Sequence, residues 1–471
     1  MAIADTWIVP GAPLEEGAGW RIWYSRAGIE PFRPQTVQVS RQGKRETAKV
    51  VDWRLFPTRT VMGRRNGVLT LALDRPQPGA RYTVRIPEAP RPFLWRTLPS
   101  RDSGEVTFLL ASCFWHNADR EGRYGAAMEE LSKLRTPAFK VLMGDQLYQD
   151  WPLRLDLRKS PFELYAERYA DYWGALPYQQ ALQCSPNYFV CDDHEFWNNY
   201  PERQIQVPLS IAPATRREAS EAAQELYLQY QRGANPGAAR FFSFKTAGVS
   251  FFVADTRSQR THRRARSPRF LTDDQRTEIA AWAHGLSGPG ALVLPQPLFQ
   301  REGDWKDYSL SNFADDHAWL CAIFEKVLAG DTSDDRPHDV LILTGDIHTG
   351  RHAVGYITGF RDPVHELVAS PASLVGPLEQ RHKSSVPPGK LFPRGRPSWT
   401  VWETQAPGSP TVDNHVGAVR IVPGRNRRVR FELELWLVRP HDDRRWWERL
   451  AEEPRPQAAP VPLFRKEVEL R

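Results

Sequence analysis

Four short apolar segments, each followed at once by small or polar residues, constrain the fold of this chain more than any other feature. They are Val106–Ala111 before Ser112-Cys113, Phe139–Met143 before Gly144-Asp145, Asn187–Cys191 before Asp192-Asp193-His194-Glu195, and Asp339–Thr344 before Gly345-Asp346-Ile347-His348. Runs of this length and apolarity predict buried strands. In open α/β sheets, ligands collect at the carboxyl ends of the strands. The pattern therefore predicts an α/β protein with polar side chains gathered at one edge.

The side chains that follow the four segments belong to residue types that bind metal ions, namely Asp, His, Asn and Cys. A buried carboxylate without a partner is costly, so Asp145 is expected to meet a cation or several donors. Tyr148, three residues further on, can add a phenol oxygen. Each segment taken alone also fits an ordinary turn. Their recurrence favours one metal centre over four separate turns.

Length and composition set broad limits on the protein. At 471 residues, two or three domains are expected, and 41% hydrophobic with 25% charged residues is typical of a globular chain with a large core. The net charge of +7 is mild: it allows an anionic ligand, and a solvated surface explains it equally well. The four cysteines show no spacing typical of a disulfide framework, which fits a reducing compartment.

The amino-terminal sequence lacks the basic and apolar regions of a signal peptide, and it contains no twin-arginine export signal. No run approaches the ~20 apolar residues that a membrane-spanning helix requires. We therefore expect a cytoplasmic protein with no membrane partner.

The composition and hydrophobic patterning of the sequence predict three regions. Residues 1–102 contain short alternating segments separated by Pro and Gly, which predict an immunoglobulin- or fibronectin-like β-sandwich. In it, Tyr82–Ile86 is expected at an edge, and Pro87–Ser100 as an exit segment and linker. Residues 103–380 alternate strands and helices and form the predicted catalytic domain. In residues 381–471, strong strands at Val416–Val422 and Val429–Val438 are expected to join the same sheet system, with the tail from Pro440 wrapped around it.

The helices predicted for the middle region have recognisable starts. Ser160-Pro161 suits the N-cap and first position of a helix to Trp173, and Thr272 suits the N-cap of one to Leu286. The other predicted helices are Tyr124–Leu134, Pro213–Arg232 and Phe313–Leu328.

The motifs ASC (111–113), GDQLY (144–148), DDHEFWNN (192–199), ADTR (254–257) and GDIH (345–348) occur in an order that resembles the alkaline phosphatase D family. These PhoD-like metallophosphatases belong to the calcineurin-like phosphoesterase superfamily, and the resemblance covers about residues 105–375. It implies a four-layer α/β/β/α metallophosphatase sandwich with an N-terminal β-sandwich domain. It also implies a metal-dependent phosphoesterase, of alkaline phosphatase or phosphodiesterase type.

The resemblance implies a role for each motif residue. Two cations ~3.5–4 Å apart can bind a phosphoryl oxygen and activate a water, and such a pair needs a bridging anion, here Asp145. One metal is expected on Asp346 with Asn198 or Asp193, between which the sequence does not decide. The other is expected on His348, Cys113 and Tyr148.

Two further residues are expected to act on the substrate rather than on the metals. His194 occupies the place of a phosphate contact and proton donor. Arg257 is a candidate phosphate clamp, although the basic run from Arg257 to Arg269 also fits a solvated face.

The identity of the metals follows from ligand softness. A thiolate, a phenolate and an imidazole suit iron, with zinc as second choice, whereas a site of mostly oxygen ligands suits calcium, with magnesium or manganese as second choices. Iron with calcium is also what the resemblance implies.

Two other functions are compatible with the sequence. The chain could process nucleic acid, since it is basic, but its arginines are dispersed and no aromatic-plus-basic RNA motif appears, so this partner is not favoured. It could be a non-catalytic metal-binding module, against which the intact set of ligands argues. The expected partner is a phosphate-ester substrate, and the oligomeric state is left open.

Overall fold

A computed structural model gives the architecture of the chain. It describes residues 6–471 except 29, 35, 57–61, 120, 154–155, 157, 300–309, 374–388, 391–398, 404–409, 425–427 and 441–459.

The strands are β1 (Thr6–Pro13), β2 (Gly19–Ala27), β3 (Gln38–Arg41), β4 (Lys44–Glu46), β5 (Ala48–Leu55), β6 (Arg64–Leu73), β7 (Arg81–Arg85), β8 (Phe93–Arg96), β9 (Val106–Ala111), β10 (Phe139–Met143), β11 (Asn187–Val190), β12 (Phe242–Thr246), β13 (Val249–Val253), β14 (Gly290–Val293), β15 (Val340–Thr344), β16 (Arg351–Ile357), β17 (Val364–Val368), β18 (Gly389–Lys390), β19 (Trp399–Glu403), β20 (Asn414–Pro423), β21 (Val429–Arg439) and β22 (Pro462–Leu470). The α-helices are α1 (Arg123–Arg135), α2 (Pro161–Gly174), α3 (Leu176–Gln183), α4 (Pro213–Tyr230), α5 (Asp273–His284) and α6 (Ala314–Ala329).

The N-terminal region is rich in β-structure, as predicted, and consists of two four-stranded sheets. Their strand orders are β1-β2-β6-β5 and β4-β3-β7-β8. The sheets share a core in which Trp20 of β2 packs on Tyr82 of β7 and Trp95 of β8, at centroid distances of 5.5 and 5.8 Å. The other face of β2 contacts the next domain, where Trp23 Nε1 donates to the carbonyl of Gln229 in α4 at 2.6 Å.

One detail of this region corrects the sequence analysis. Strand β7 lies between β3 and β8, so the segment predicted at an edge is an interior strand. The edge strand next to β7 is β8, which lies within the segment interpreted as a linker. The sequence does not predict this strand, because the prolines at 90, 92 and 99 leave only a short apolar run between them.

The remainder of the described chain is built on two larger sheets. Their strand orders are β11-β10-β9-β20-β21-β22 and β12-β13-β14-β15-β17-β16-β19-β18. Alternate residues of a strand serve two different cores, because successive side chains point to opposite faces. Leu110 of β9 packs between the sheets, whereas Leu109 packs with helices α1 to α4. Likewise Phe251 of β13 faces the first sheet, and Phe252 packs with α5 and α6.

One apolar core lies between the two sheets, one between the first sheet and α1 to α4, and one between the second sheet and α5 and α6. They define four layers, α/β/β/α, so the predicted fold is confirmed. The central core is rich in aromatic side chains: Phe108 stacks on Phe139 at 4.9 Å and meets Phe251 of the opposite sheet edge-on at 5.4 Å. Complete burial of a side chain of this size contributes roughly 1.5–3 kcal/mol. Burial of many apolar side chains in this core therefore holds the two sheets face to face.

The C-terminal strands complete the first sheet. β20 pairs antiparallel with β9 and β21 with β20, and alternate residues of β21, Phe431, Leu433 and Leu435, are buried between the sheets. The tail is expected to wrap around the sheet, but its last segment, β22, is itself the edge strand of that sheet and pairs with β21. The boundaries proposed for the three domains remain a prediction.

The predicted helix starts agree with the structure. Ser160 Oγ accepts from the backbone N of Glu163, which forms a capping box at the start of α2, and Thr272 caps α5 through Gln275 N. The helix α3 is not predicted, and α4 ends at Tyr230, before the predicted Arg232.

Candidate metal centre

Parallel pairing brings the predicted site residues to one edge. Strands β9, β10 and β11 are parallel neighbours in the first sheet, and β13, β14, β15 and β17 in the second. The loops after β9, β10 and β11 therefore begin at one edge of the first sheet, and the loop after β15 begins at the carboxyl edge of the second. The two edges meet, because ligand atoms from both sheets lie within 4.8 Å of one another.

Four of the predicted site residues have a left-handed backbone, which non-glycine residues seldom adopt. The φ angle is +57° at Cys113, +53° at Asp145, +65° at Asp346 and +52° at His348. Such conformations cost free energy, persist only where the surrounding structure holds them, and cluster at functional sites. Their concentration at three strand ends marks this edge as the candidate site.

Glycines allow these loops to approach closely. A Cβ at Gly144 would lie 2.4 Å from Cβ of Asp192, and a Cβ at Gly345 would lie 2.2 Å from Oγ of Ser112. Both positions therefore require glycine, because any side chain would push neighbouring motif loops apart.

One group of ligand atoms consists of Cys113, Asp145 and His348. Their ligand atoms all lie within 4.8 Å of one another, and Cys113 Sγ is 3.3 Å from Oδ2 of Asp145. Ser370 supports the group: its hydroxyl lies 3.1 Å from Cys113 Sγ and accepts from the backbone N of His348 at 3.1 Å. Three of the predicted metal ligands are thus together.

A second group consists of Asp145, Asp192, Asp193 and Asp346, again within 4.8 Å. It contains three predicted ligands and one residue, Asp192, that was not predicted. Asp145 belongs to both groups, which is the position that a bridging carboxylate requires. A third combination, Asp145 with Asp193 and His194, offers an imidazole to the same point.

Tyr148 lies beside both groups. It is 3% exposed, and its ring packs on the imidazole of His194 with 4.0 Å between centroids. Its hydroxyl, together with Oδ2 of Asp192 and Oδ1 of Asp193, is buried without a hydrogen-bond partner among the described residues. Buried polar atoms are seldom left so, and cations would satisfy all three. The residues present therefore fit a metal centre.

The electrostatics of the carboxylates lead to the same conclusion. Burial raises the pKa of Asp145 well above its usual range, while His194 opposes the rise and Asp193 and Asp192 add to it. Burial also raises the pKa of Asp192, against the charge of Arg257. Burial also acts to raise the pKa of Asp193, but the charges of His194 and Arg257 outweigh this effect, so the pKa of Asp193 is lowered. Several clustered carboxylates remain ionised together only if positive charge is supplied.

The thiol and the phenol show the same need for positive charge. Burial raises the pKa of Cys113 and of Tyr148 well above their usual values, and the charge of Asp145 adds to both effects. A bound cation acts in the opposite direction, because it favours thiolate and phenolate over their protonated forms.

His194 is held by Asp150, a residue that the sequence analysis did not select. Nδ1 of His194 lies 2.7 Å from Oδ1 of Asp150, whose Oδ2 accepts from the backbone N of Asn198 at 2.9 Å. The backbone N of His194 also donates to Oδ1 of Asp145 at 3.2 Å. Burial acts to lower the pKa of His194, but Asp150, Asp193 and Asp145 outweigh it and the pKa is raised.

Glu195 is a second unselected residue, and it joins two motif loops. Its buried carboxylate accepts from the backbone N of Asp145 (2.9 Å), Gln146 (2.7 Å) and Asp192 (2.8 Å), and from Nε2 of Gln231 (3.2 Å). Burial raises its pKa to about 7, and these donors oppose the rise. Glu195 thus fixes the loop after β10 against the loop after β11.

Two predicted residues are placed differently from the others. Arg257 is fully buried; its Nε donates to Oδ1 of Asp192 at 2.6 Å and its Nη1 to the carbonyl of Tyr200 at 2.7 Å. In this position the guanidinium holds the acidic loop, and its role as a phosphate clamp stays a prediction. Asn198 is connected through its backbone to Asp150, so the choice between Asn198 and Asp193 as direct ligand stays open.

A four-layer α/β/β/α sandwich with clustered metal-ligating side chains at its strand ends defines a domain of the metallophosphatase class. Residues 108–287 match the profile of the PhoD-like phosphatase family. Over these residues the chain is therefore similar to the PhoD-like phosphatases, as the sequence motifs indicated, and the similarity supports a phosphatase enzyme.

Comparison with solved structures gives the same fold. The structure of PhoD superposes with a TM-score of 0.60 at 15% identity, covering 92% of this chain and 86% of that one. GAP50, the anchor in the inner membrane complex of Plasmodium, aligns at a TM-score of 0.34 and 8% identity over 73% of this chain and 90% of that one, which is too weak for argument. No match was found among curated proteins. None of the helices in the described ranges is long and apolar enough to cross a membrane.

Proposed function

We propose that this protein is a metal-dependent phosphoesterase that hydrolyses phosphate esters with a metal-activated water at a two-metal site. The position of Asp145 carries the proposal, because this carboxylate belongs to both groups of candidate ligands. Two cations bound there would polarise a phosphoryl oxygen and supply a water of lowered pKa.

The remaining residues around Asp145 divide between the two groups. Cys113, His348 and Tyr148 form the softer side, and Asp346 with Asp193, Asp192 or Asn198 forms the harder side. Following ligand softness, we assign iron to the first and calcium to the second. Zinc on the softer side, and magnesium or manganese on the harder side, are the second choices.

His194 is proposed to donate a proton to the leaving oxygen of the ester. Asp150 engages Nδ1, so Nε2 is the nitrogen left to hold the transferable proton. Asp150 also fixes the orientation of the ring, as carboxylates do for catalytic histidines. This assignment competes with a ligand role, since His194 also stands in one metal-holding combination.

The experiment is metal analysis of the purified protein alongside a panel of phosphomonoesters and phosphodiesters. We expect two equivalents of metal and turnover of at least one ester class, both lost in Asp145→Asn. The control is Asp274→Asn, the same chemical change at an exposed position of α5. A metal-free wild type with full turnover would contradict the proposal.

A further inference from the structure

Arginine side chains dominate the lining of a cavity of about 570 Å³ that contains none of the candidate metal ligands. We call it the arginine pocket; it is lined by Arg203, Arg216, Arg260, Arg263, Arg264 and His262. Its volume is within the range of small-molecule binding sites. Part of this lining comes from the basic run after Arg257, for which the phosphatase assignment gives no role.

The pocket presents far more positive than negative charge. Glu202 is the one acidic residue that lines it within the described chain. Its carboxylate is already engaged: Oε2 lies 2.6 Å from Nε2 of His262, and Oε1 accepts from the backbone N of Arg263 at 2.8 Å. Nε of Arg263 also lies 4.0 Å from Oε2 of Glu202. Among the described residues, the lining therefore has no second carboxylate to neutralise Arg203, Arg216 and Arg264.

Three of the arginines have free guanidinium groups. Within the described ranges, Arg203, Arg216 and Arg264 form no ion pair and no side-chain hydrogen bond. Arg203 and Arg264 are exposed and Arg216 is half-buried. Guanidinium groups keep their charge at any physiological pH and bind phosphate oxygens in a bidentate fashion. Their convergence on one cavity favours an anion site over a uniformly solvated face.

The pocket is joined to the metal centre by the chain itself. Pro201, which lines it, follows Asn199 by two residues, so their Cα atoms are at most about 8 Å apart. The backbone N of Asn199 donates to Oδ2 of Asp193 at 2.5 Å. An anion in the pocket thus lies one short loop away from the acidic cluster.

A side-chain relay makes a second connection. Arg260, which lines the pocket, donates through Nη2 to the side chain of Gln296. Nε2 of Gln296 in turn lies 3.5 Å from Oδ2 of Asp346. One glutamine therefore separates a pocket arginine from a candidate metal ligand.

We propose that the arginine pocket is a second anion subsite of the phosphoesterase, which holds a second phosphoryl group of the substrate while the ester to be hydrolysed lies at the metal centre. The substrate class is a small organic bisphosphate. The proposal rests on the proposed function, because only that function places an ester at the neighbouring centre. A nucleic-acid strand is the less favoured ligand, since no stacking aromatic side chain lines the pocket within the described residues.

Calorimetry on the metal-loaded protein tests the proposal. The probes are propyl phosphate and the bisphosphates of propane, hexane and octane diols, which vary the spacing between the two phosphoryl groups. We expect at least one bisphosphate to bind ~10-fold more tightly than propyl phosphate, because it gains charge-assisted contacts in the pocket. Equal affinity for all the probes would overturn the proposal.

Two variants test whether the preference for a bisphosphate depends on the arginine pocket. In the double variant Arg216→Gln with Arg264→Gln, the bisphosphate preference should disappear, whereas the control Arg217→Gln, one position along α4 and outside the lining, should retain it. Equal loss of monophosphate and bisphosphate binding would overturn the assignment of a separate subsite. So would tighter binding of a short single-stranded oligonucleotide than of any bisphosphate.

A parallel assay with p-nitrophenyl phosphate and its diester separates this proposal from the proposed function. A bisphosphate preference without hydrolysis of any ester would contradict the enzymatic assignment and leave the anion subsite in place. Hydrolysis without the preference would support the enzyme and overturn the subsite.

Discussion

Nδ1 of His194 lies 2.7 Å from Oδ1 of Asp150, and these two residues come from loops that follow different strands. Asp150 lies beyond β10 and His194 beyond β11. The contact joins them through a side chain, while the second oxygen of Asp150 accepts from the backbone N of Asn198. Asp150 therefore sets both the orientation of the imidazole and the course of the loop behind it.

The variant Asp150→Asn should lower kcat about 10- to 100-fold and leave the metal content unchanged. The amide keeps the size of the side chain and an acceptor for Asn198 N, but it removes the charge that orients and favours the protonated imidazole; changes at such supporting residues typically have effects of this size. Steady-state kinetics and metal analysis check the prediction. An unchanged kcat would show that Asp150 only shapes the loop.

The variant His194→Ala should lower kcat by about 10²–10⁴-fold, the range for a residue that transfers a proton. Bound metal should fall much less, because Cys113, Asp145 and His348 form a group without it. The two quantities are measured on the same preparation. If metal and activity fall in proportion, His194 is a ligand and the proton-donor role is wrong.

The strand ends could be predicted from the sequence because their signal is local. A few residues suffice to identify a buried strand that ends at a glycine and a carboxylate. The rule that ligands collect at the carboxyl ends of strands then predicts that several such loops lie together. Cys113, Asp145 and His348 meet in the structure for this reason, as do Asp193 and Asp346.

The supporting residues could not be predicted in the same way. Asp150 lies just beyond one recognised motif and Glu195 lies within another, but Asp150 is 44 residues from His194 in sequence, and Glu195 is 50 residues from Asp145. Their roles depend on the register of β10 against β11, which no local pattern specifies. Arg257 shows the converse: its motif was recognised, but its burial behind Asp192 follows from packing alone.

The variant Asp145→Asn should bind little metal and yet keep the fold, because the asparagine oxygen can still accept from the backbone N of His194. Chelation with EDTA should lower the Tm of the wild type by at least ~2 °C, since ligand binding stabilises the folded state and metal-free carboxylates repel one another. In Asp145→Asn the same treatment should change Tm much less. Equal shifts in the two proteins, measured by differential scanning calorimetry, would place the metal elsewhere.

Acid should destabilise the fold through His317, a fully buried residue of α6. Burial lowers its pKa to about 3, and a hydrogen bond with the backbone of Leu298 opposes this effect. Because an unfolded histidine titrates near 6.5, the unfolded chain takes up the proton first. The contribution of neutral His317 is complete above about pH 6.5 and is lost as the pH falls towards 3.

At pH 5 this loss amounts to about 2 kcal/mol. We therefore expect the free energy of unfolding of His317→Gln to fall less between pH 7 and pH 5 than that of the wild type, by about this amount. Urea titrations in EDTA keep metal loss out of the comparison. The control is His284→Gln, at an exposed position of α5, which should follow the wild type. An identical pH dependence in His317→Gln would contradict the prediction.

Removal of the phenol in Tyr148→Phe tests the identity of the metal on the softer side. The hydroxyl of Tyr148 is buried beside Cys113 and Asp145 without a hydrogen-bond partner in the described chain. A phenolate on ferric iron gives a visible charge-transfer absorption, so the purified protein should be coloured and the variant should lose that band. The variant should still unfold near the wild-type Tm, because the phenylalanine ring keeps the contact with His194. A colourless wild type that holds only zinc or magnesium and is fully active would contradict the assignment of iron.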